Sequence, residues 1–436
     1  MLPQISKFFD SFSILELAFS EKFLINHSSK INPLYFVISF FDIMNQDHFT
    51  WEGWSKRFYL ISKTSCTPNG LIAKFGFRYI PFFKALLKKA LGFSSIGSSV
   101  PPPIAQCFKR IWITDSTCIS MPDSLHKIFP GASNQSGCYA TAKLQLTMDL
   151  ITDEIHGLDI CSFRNNDQSY SKNILNYVNE GDLVIRDLGY FVTDIFKQLD
   201  QNKVKFISKI RYDLNIYNLQ NEPFDLLKKL RDAFSSGASY VDWSIRISKK
   251  KIPVRLLAVR CNQQNAFKKN KRAVNDRQPR VNHNEEYMEL LGYHILITNI
   301  EKDKLTVNDI WSLYKLRWRI EVIFKCWKGR LNLEKLFRNI TIKNYSIIYC
   351  MLLLALTKIV ICHNRIYIKI RNEVLNDQGI PNISILKFYD IVTKEIHLIN
   401  GKSKKFLIQY FSRFSTYQNT KTRKTHFEML YMLNSS

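Results

Sequence analysis

The sequence predicts an α/β fold: a core in which short strands and helices alternate, with a β-rich insertion and helical N- and C-terminal regions on either side. Three observations carry that expectation. Ala142, Leu144, Leu146 and Met148 alternate through "ATAKLQLTMD", the period-two pattern of a strand with one buried face. "GDLVIRDLGYF", "YFVTDIFKQLDQN" and "KVKFISKI" follow one another as strand, helix and strand, the order of a layered α/β arrangement. Both ends of the chain lack such alternation and read as helical.

Taken in order, residues 1–96 form the first helical region, with "FFKALLKKALG" as a helix that Gly92 would stop. "SSIGSSVPPP" then breaks every periodicity and marks a linker. The first part of the core, 104–210, opens with "FKRIWITDSTCIS", a β-rich run ending in an acid at Asp115. A strand follows at "ATAKLQLTMD", and a turn at "LITDE" returns the chain through "IHGLDICSF". "GDLVIRDLGYF" supplies a short buried strand ending at Asp187. Residues 211–290 differ: Val241, Trp243, Ile245 and Ile247 alternate, "KKK" follows, "IPVRLLAVR" reads as the return strand of a hairpin, and "AFKKNKRAVNDRQPR" is strongly basic. The core resumes over 291–344 with "YHILITNI" and a helix beginning near Val307. From 345 to 436 the chain is mainly helical with a basic tail, and no internal repeat is visible.

Composition narrows the function. The chain has 436 residues, with Lys+Arg 62 against Asp+Glu 37, formal net charge +25 and pI about 9.6. So basic a chain works on a polyanion, and nucleic acid leads because the bases are interleaved with Tyr, Phe and Trp. A ribosome-bound or membrane-surface protein would share the charge. Nine cysteines without a CxxC pair or a Cys/His cluster indicate neither a disulfide framework nor a zinc ribbon. A reducing, cytoplasmic setting fits. "MLPQISKFFDSFSILELAFSEKF" carries acids inside its apolar stretch, against a cleaved secretory signal. The apolar run "IIYCMLLLAL" is too short for a bilayer and reads as a buried helix, so no membrane is expected.

One helix raises the question of chemistry. In "YKLRWRIEVIFKCWK", at about 100° per residue, Tyr314, Arg317, Glu321 and Lys328 fall within roughly a 60° arc. Leu316, Ile320, Ile323 and Trp327 lie opposite. An ordinary solvated face is one reading. The large aromatics Tyr314 and Trp318 near that face, and bases flanking one acid, suit another: an acid that holds a metal beside bases that hold DNA. A lone carboxylate cannot hold a catalytic metal pair, so two more belong elsewhere. Asp115 and Asp187 each follow a short apolar β-like run, where either alone could equally be a turn-forming cap.

At these residues the sequence resembles the DDE-type bacterial insertion-sequence transposases, specifically the insertion sequence 4 family. Its signature of Tyr, two residues, Arg, three residues, Glu, six residues and Lys is matched without a gap by Tyr314, Arg317, Glu321 and Lys328. "ITDST" around Asp115 and "RDLGYF" around Asp187 match the contexts of its two aspartates. The segments "HKIFPGASNQSGCYATAKLQLTMDL", "IPVRLLAVR" and "HILITNI" also look like that family.

The resemblance implies an RNase H-like catalytic core with a β-strand insertion between the second Asp and the Glu. It implies that Asp115, Asp187 and Glu321 bind two Mg²⁺ ions about 3.5–4 Å apart, with Mn²⁺ as a substitute, for in-line displacement at phosphorus. Cleavage at the element's ends and joining to target DNA would follow, through a hairpin intermediate. Arg317 and Lys328 would position phosphates, and Tyr314 would donate a hydrogen bond to phosphate or pack on a sugar. Trp243 is either a core residue or the aromatic that holds a base displaced from the stack. The expected partners are double-stranded DNA, as terminal inverted repeats and target, and a second copy in a homodimeric synaptic complex. The N-terminal region would recognise DNA ends, the C-terminal helices would serve dimerisation, and the protein would be nucleoid-associated. Three other readings remain: a transposase-derived DNA-binding regulator without catalysis, a stand-alone metal-dependent endonuclease, and a basic RNA-binding structural protein, which would explain the charge but leave the acids unaccounted for.

Overall fold

The computed structural model describes residues 11–26, 28–44, 49–92, 103–134, 137–275, 284–331, 333–338, 344–378, 383–394, 404–416, 428–430 and 433. Apart from Pro103, the expected linker at "SSIGSSVPPP" lies outside the described residues. The chain divides into two compact units, the first comprising 1–102, 115–165 and 318–431, the second 103–114, 166–317 and 432–436. The described strands are β1 (Ile111–Met121), β2 (Pro130–Asn134), β3 (Gly137–Asp149), β4 (Ile155–Ser162), β5 (Leu183–Arg186), β6 (Lys205–Lys209), β7 (Ile216–Tyr217), β8 (Val241–Ile247), β9 (Ile252–Arg260) and β10 (Tyr293–Thr298).

In the second unit, short apolar runs build the centre of a sheet. The start of β1 lies parallel to β5, with Ile111 opposite Leu183 and Ile113 opposite Ile185. β5 lies parallel to β6, with Leu183 opposite Lys205 and Arg186 opposite Ser208. Parallel neighbours need a crossover. The helix Thr193–Gln201 supplies it, burying Ile195, Phe196 and Leu199. Beyond β6 the order continues antiparallel through β10, β9, β8 and β7. Trp112, Val184, Phe196, Phe206, Leu256 and Ile297 belong to the core of this unit.

Segment 211–290 is mixed rather than β-rich. The expected hairpin of β8 and β9 is present, but it extends the sheet through β10 and shares the segment with the helices Leu226–Ser235, Gln263–Val274 and Glu285–Leu290. Leu227, Leu230 and Phe234 show why: they recur at helical spacing and are buried together.

In the first unit β3 and β4 form the hairpin expected around "LITDE", pairing from Ala142 with Ser162 to Met148 with Ile155. β1 borders β3 and runs on to Met121, so Asp115 sits inside a strand and not at its end. Thr117, Cys118 and Ile119 continue the strand-forming sequence past the acid. The N-terminal helices pack round an aromatic nucleus in which Phe23 stacks on Phe82 at 4.2 Å and Trp54 on Phe75 at 5.3 Å. Asn32 caps the helix Pro33–Ile43 by accepting from the backbone N–H of Leu34 and Tyr35. The helix Ile80–Leu91 ends at Gly92, as expected.

The apolar run "IIYCMLLLAL" is part of a longer helical stretch than its sequence suggested. Tyr345–Glu373 spans 29 residues, long and apolar enough to cross a membrane, and 89% of its most apolar window is buried within the protein. Its middle widens into a π-helical turn at Cys362–Tyr367, carrying the wholly buried His363.

Burial, and then the guanidinium groups of Arg319 and Arg371, push His363 down to about 4, although Asp153 beside it acts in the opposite direction. Unfolding returns a histidine to about 6.5, so the unfolded chain binds the proton first. The contribution of this depressed group is full above about 6.5 and is lost as pH falls towards about 4. Melting temperature is therefore expected to fall between pH 7 and pH 4.5 in thermal scans, with His363→Gln flattening part of that acid limb.

Candidate active site

Asp187 is the best-defined of the candidate carboxylates. It follows Arg186, the last residue of β5, and precedes a short 3₁₀ turn, Leu188–Tyr190. Its Oδ1 accepts from Lys209 Nζ at 3.1 Å and from the Tyr314 hydroxyl at 3.1 Å, and Arg317 Nε lies 3.9 Å away. Three segments converge on one oxygen. Lys209 ends β6, one residue beyond the Arg186 and Ser208 pair, so parallel register brings it beside Asp187. Tyr314 lies on the helix Val307–Leu316, and Arg317 is its C-cap.

Electrostatics follow from that arrangement. Burial alone would raise the Asp187 carboxyl, but Lys209 and Arg317 reverse the effect and hold it below the usual carboxylate range. Burial and the adjacent Asp187 push the Tyr314 phenol well above its ordinary value, so it stays a hydrogen-bond donor. Behind the site, the buried Arg186 guanidinium donates to the Ser171 hydroxyl, to Ser171 O at 2.7 Å and to Tyr190 O at 3.2 Å. Burial lowers this arginine to about 9. It staples the turn after Asp187 to the 3₁₀ segment Ser171–Asn176.

The other motif residues lie in the first unit. Asp115 is half-buried on β1, and its Oδ1 accepts from the Ser116 backbone at 2.8 Å. Glu321 stands, half-buried, in the first turn of the helix Trp318–Lys325. The last registered pair of β1 and β5 is Ile113 with Ile185, and Asp115 and Asp187 each come two residues later in their own segments.

Of the four residues expected on one helix face, Tyr314, Arg317, Glu321 and Lys328, the last lies on a widened turn. Arg317, the C-cap of the helix Val307–Leu316, keeps a right-handed helical backbone, the helix Trp318–Lys325 follows directly, and its end widens into a π-helical turn at Cys326–Arg330. That wider turn takes Lys328 off the regular helical repeat. Its ammonium pairs with Glu334 at 3.3 Å. Trp243 packs partly buried against the second unit's core, edge-on to Phe224 at 5.5 Å.

Two basic runs partly serve structure. Lys250 pairs with Asp194 at 2.6 Å, Lys251 covers the Tyr217 ring, and Lys269 donates to Leu291 O and Tyr293 O at 3.2 and 3.1 Å. The sequence reading missed Lys209 and Arg186. Strand alternation could have marked Arg186 as facing away from Asp187, whereas the partner of Lys209 depends on strand order.

A family model, the transposase DDE domain, matches residues 106–356. The chain belongs to that family. The transposase for insertion sequence element IS1151 of Clostridium perfringens is 26% identical over 358 residues, covering 75% of this chain and 73% of that protein. The transposase for insertion sequence element IS231E of Bacillus thuringiensis subsp. finitimus is 28% identical over 295 residues, 62% of this chain and 60% of that one. The IS231D transposase from the same organism is 26% identical over 389 residues, covering 83% and 79%. The chain thus spans between three fifths and four fifths of these relatives. Among solved structures, the piggyBac transposase synaptic complex with hairpin DNA gives a TM-score of 0.44 at 10% identity, covering 94% of this chain and 83% of that one.

Family membership makes the chain an enzyme of DNA cleavage and strand transfer, dependent on a divalent metal. The donor chemistry fits such an ion, since the carboxylate of Asp187 is held ionised and Mg²⁺ takes oxygen ligands. Among the described residues no three or more His, Cys, Asp or Glu side chains are already gathered to hold a metal.

Because Lys209 and Tyr314 share Asp187 Oδ1, either can satisfy it when the other is lost. Tyr314→Phe is expected to destabilise by about 1–2 kcal/mol. Adding Lys209→Met should cost at least about 0.5 kcal/mol more than the sum of the single changes, measured by urea denaturation of the four proteins.

Proposed function

We propose that this chain is the transposase of an insertion sequence of the insertion sequence 4 family. It cuts the element's ends and joins them to target DNA through an RNase H-like core. The observation that carries the reading is the convergence of Lys209, Tyr314 and Arg317 on Asp187, which links the signature's first two residues to the second aspartate of the motif.

In this reading Asp115, Asp187 and Glu321 hold two Mg²⁺ ions, which Mn²⁺ can replace. When bound, these supply an activated water or DNA 3′-hydroxyl and stabilise the leaving oxygen. Lys209 and Arg317, which pair with Asp187, turn towards the phosphates of the DNA end. Tyr314 keeps its proton and orients either Asp187 or a phosphate oxygen. Lys328, on its π-helical turn, exchanges Glu334 for phosphate. Trp243 moves from its packing on Phe224 to hold a displaced base as the hairpin forms. The N-terminal helices read the inverted repeats, and two copies meet on DNA in a homodimeric synaptic complex. The work takes place on the nucleoid in the cytoplasm, away from any membrane.

Cleavage of the element's ends in Mg²⁺ tests this. Asp115→Asn, Asp187→Asn and Glu321→Gln should each lose at least about 1,000-fold in rate, with end binding unchanged within a few-fold. A variant that still cuts at the wild-type rate would remove its residue from the site. Wild type that binds ends but neither cuts nor joins would point to a regulator.

A further inference from the structure

The first unit contains a buried ionic cluster that the site described above does not use. Asp153, 0% exposed, occupies the β3 to β4 turn with a left-handed φ of 62°. Its Oδ1 accepts from Arg319 Nε at 3.0 Å, and Arg319 Nη2 reaches Oδ2, a bidentate fork between two buried groups. Arg319 Nη2 also donates to the Tyr367 hydroxyl at 2.8 Å, and Arg371 Nη1 lies 3.7 Å from Asp153 Oδ2. His363 Nε2 sits 2.7 Å from the Asp153 carbonyl oxygen. Next along the chain, Asn364 clasps the Ile155 backbone with both ends of its amide, at 2.8 and 3.0 Å. His363, Asn364 and Tyr367 all come from the π-helical turn Cys362–Tyr367, a local widening often found at functional positions.

The location of the clamp matters more than its strength. Arg319 precedes Glu321 by two residues on the helix Trp318–Lys325, so the two side chains leave on roughly opposite faces, about 200° apart. Holding Arg319 inward therefore sets where Glu321 points. The turn that holds it ends β3, and β3 borders β1, which carries Asp115. Asp115 and Glu321 are thus joined through β3, the Asp153 turn and Arg319, all inside one unit. A stabilising role alone would favour apolar packing, because a buried ion pair seldom outperforms it.

We propose that Asp153 and Arg319 are positioning residues that fix Glu321 relative to Asp115, so that the pair can take a divalent cation. This rests on the metal-site reading of Asp115 and Glu321 given above. Asp153 does not touch the metal; it acts through Arg319. Burial alone would raise Asp153, but Arg319, with help from His363 and Arg371, brings it down to about 2, so the clamp stays charged throughout the working range.

The test is Mn²⁺ binding to the full chain on its DNA end, read as loss of the free-Mn²⁺ paramagnetic resonance signal, with folding checked by circular dichroism and melting. Arg319→Lys keeps the charge and loses the fork; Asp153→Asn keeps the shape and loses the charge. Each is expected to weaken Mn²⁺ binding about 10-fold, leaving end binding within two-fold, and raised Mn²⁺ should restore most cleavage. Glu321→Gln separates the two layers of the argument. If it abolishes tight Mn²⁺ binding while both clamp variants, well below their melting points, bind as wild type does, the positioning role is overturned. If Glu321→Gln itself leaves Mn²⁺ binding intact, the metal-site reading fails instead. Should Asp153→Asn not fold, Arg319→Lys decides alone.

Discussion

Parallel pairing of the short strands β1, β5 and β6 is the constraint on which the candidate site depends. Parallel neighbours run in the same direction, so the residues that follow each strand emerge at the same edge of the sheet. Asp187 follows β5 and Lys209 ends β6, and their meeting needs no special loop. A carboxylate there, partly withdrawn from water in a chain of net charge +25, collects cations at once. The helix Val307–Leu316 adds Tyr314 and, at its cap, Arg317. The cradle is a consequence of strand direction first and of residue choice second.

Two buried arginines illustrate how the architecture handles charge. Arg186 donates to the Ser171 hydroxyl and to the carbonyl oxygens of Ser171 and Tyr190, and burial depresses it to about 9. Arg319 has a full carboxylate partner, Asp153, and forms a charged pair in the first unit. In both cases the arginine lies within two residues of a candidate catalytic acid and faces inward. Each ties the segment beside its acid to a neighbouring one, Arg186 to Ser171 and Tyr190 and Arg319 to Asp153, an arrangement suited to a preorganised site.

Much of this was legible in the sequence. The alternation of Ala142, Leu144, Leu146 and Met148 marked β3, "LITDE" marked its turn, and "KVKFISKI" marked β6, because period-two patterning and turn residues are local signals. Three features were not. Asp115 lies within its strand because β3 supplies pairing beyond it, which is tertiary information. Lys328 leaves the regular helical repeat because a π-helical turn begins at Cys326, and such a turn leaves no compositional mark. The Asp153 clamp joins residues 166 positions apart in sequence, beyond the reach of any local pattern.

The central claim is that Asp115, Asp187 and Glu321 hold the metal that serves DNA cleavage. Its most direct test is anomalous diffraction from crystals of the full chain bound to its DNA end and soaked with Mn²⁺. Manganese peaks within about 2.0–2.6 Å of carboxylate oxygens from all three residues are the predicted result. Manganese held by other side chains, with none of these three carboxylates within about 3 Å of it beside a bound DNA end, would contradict it.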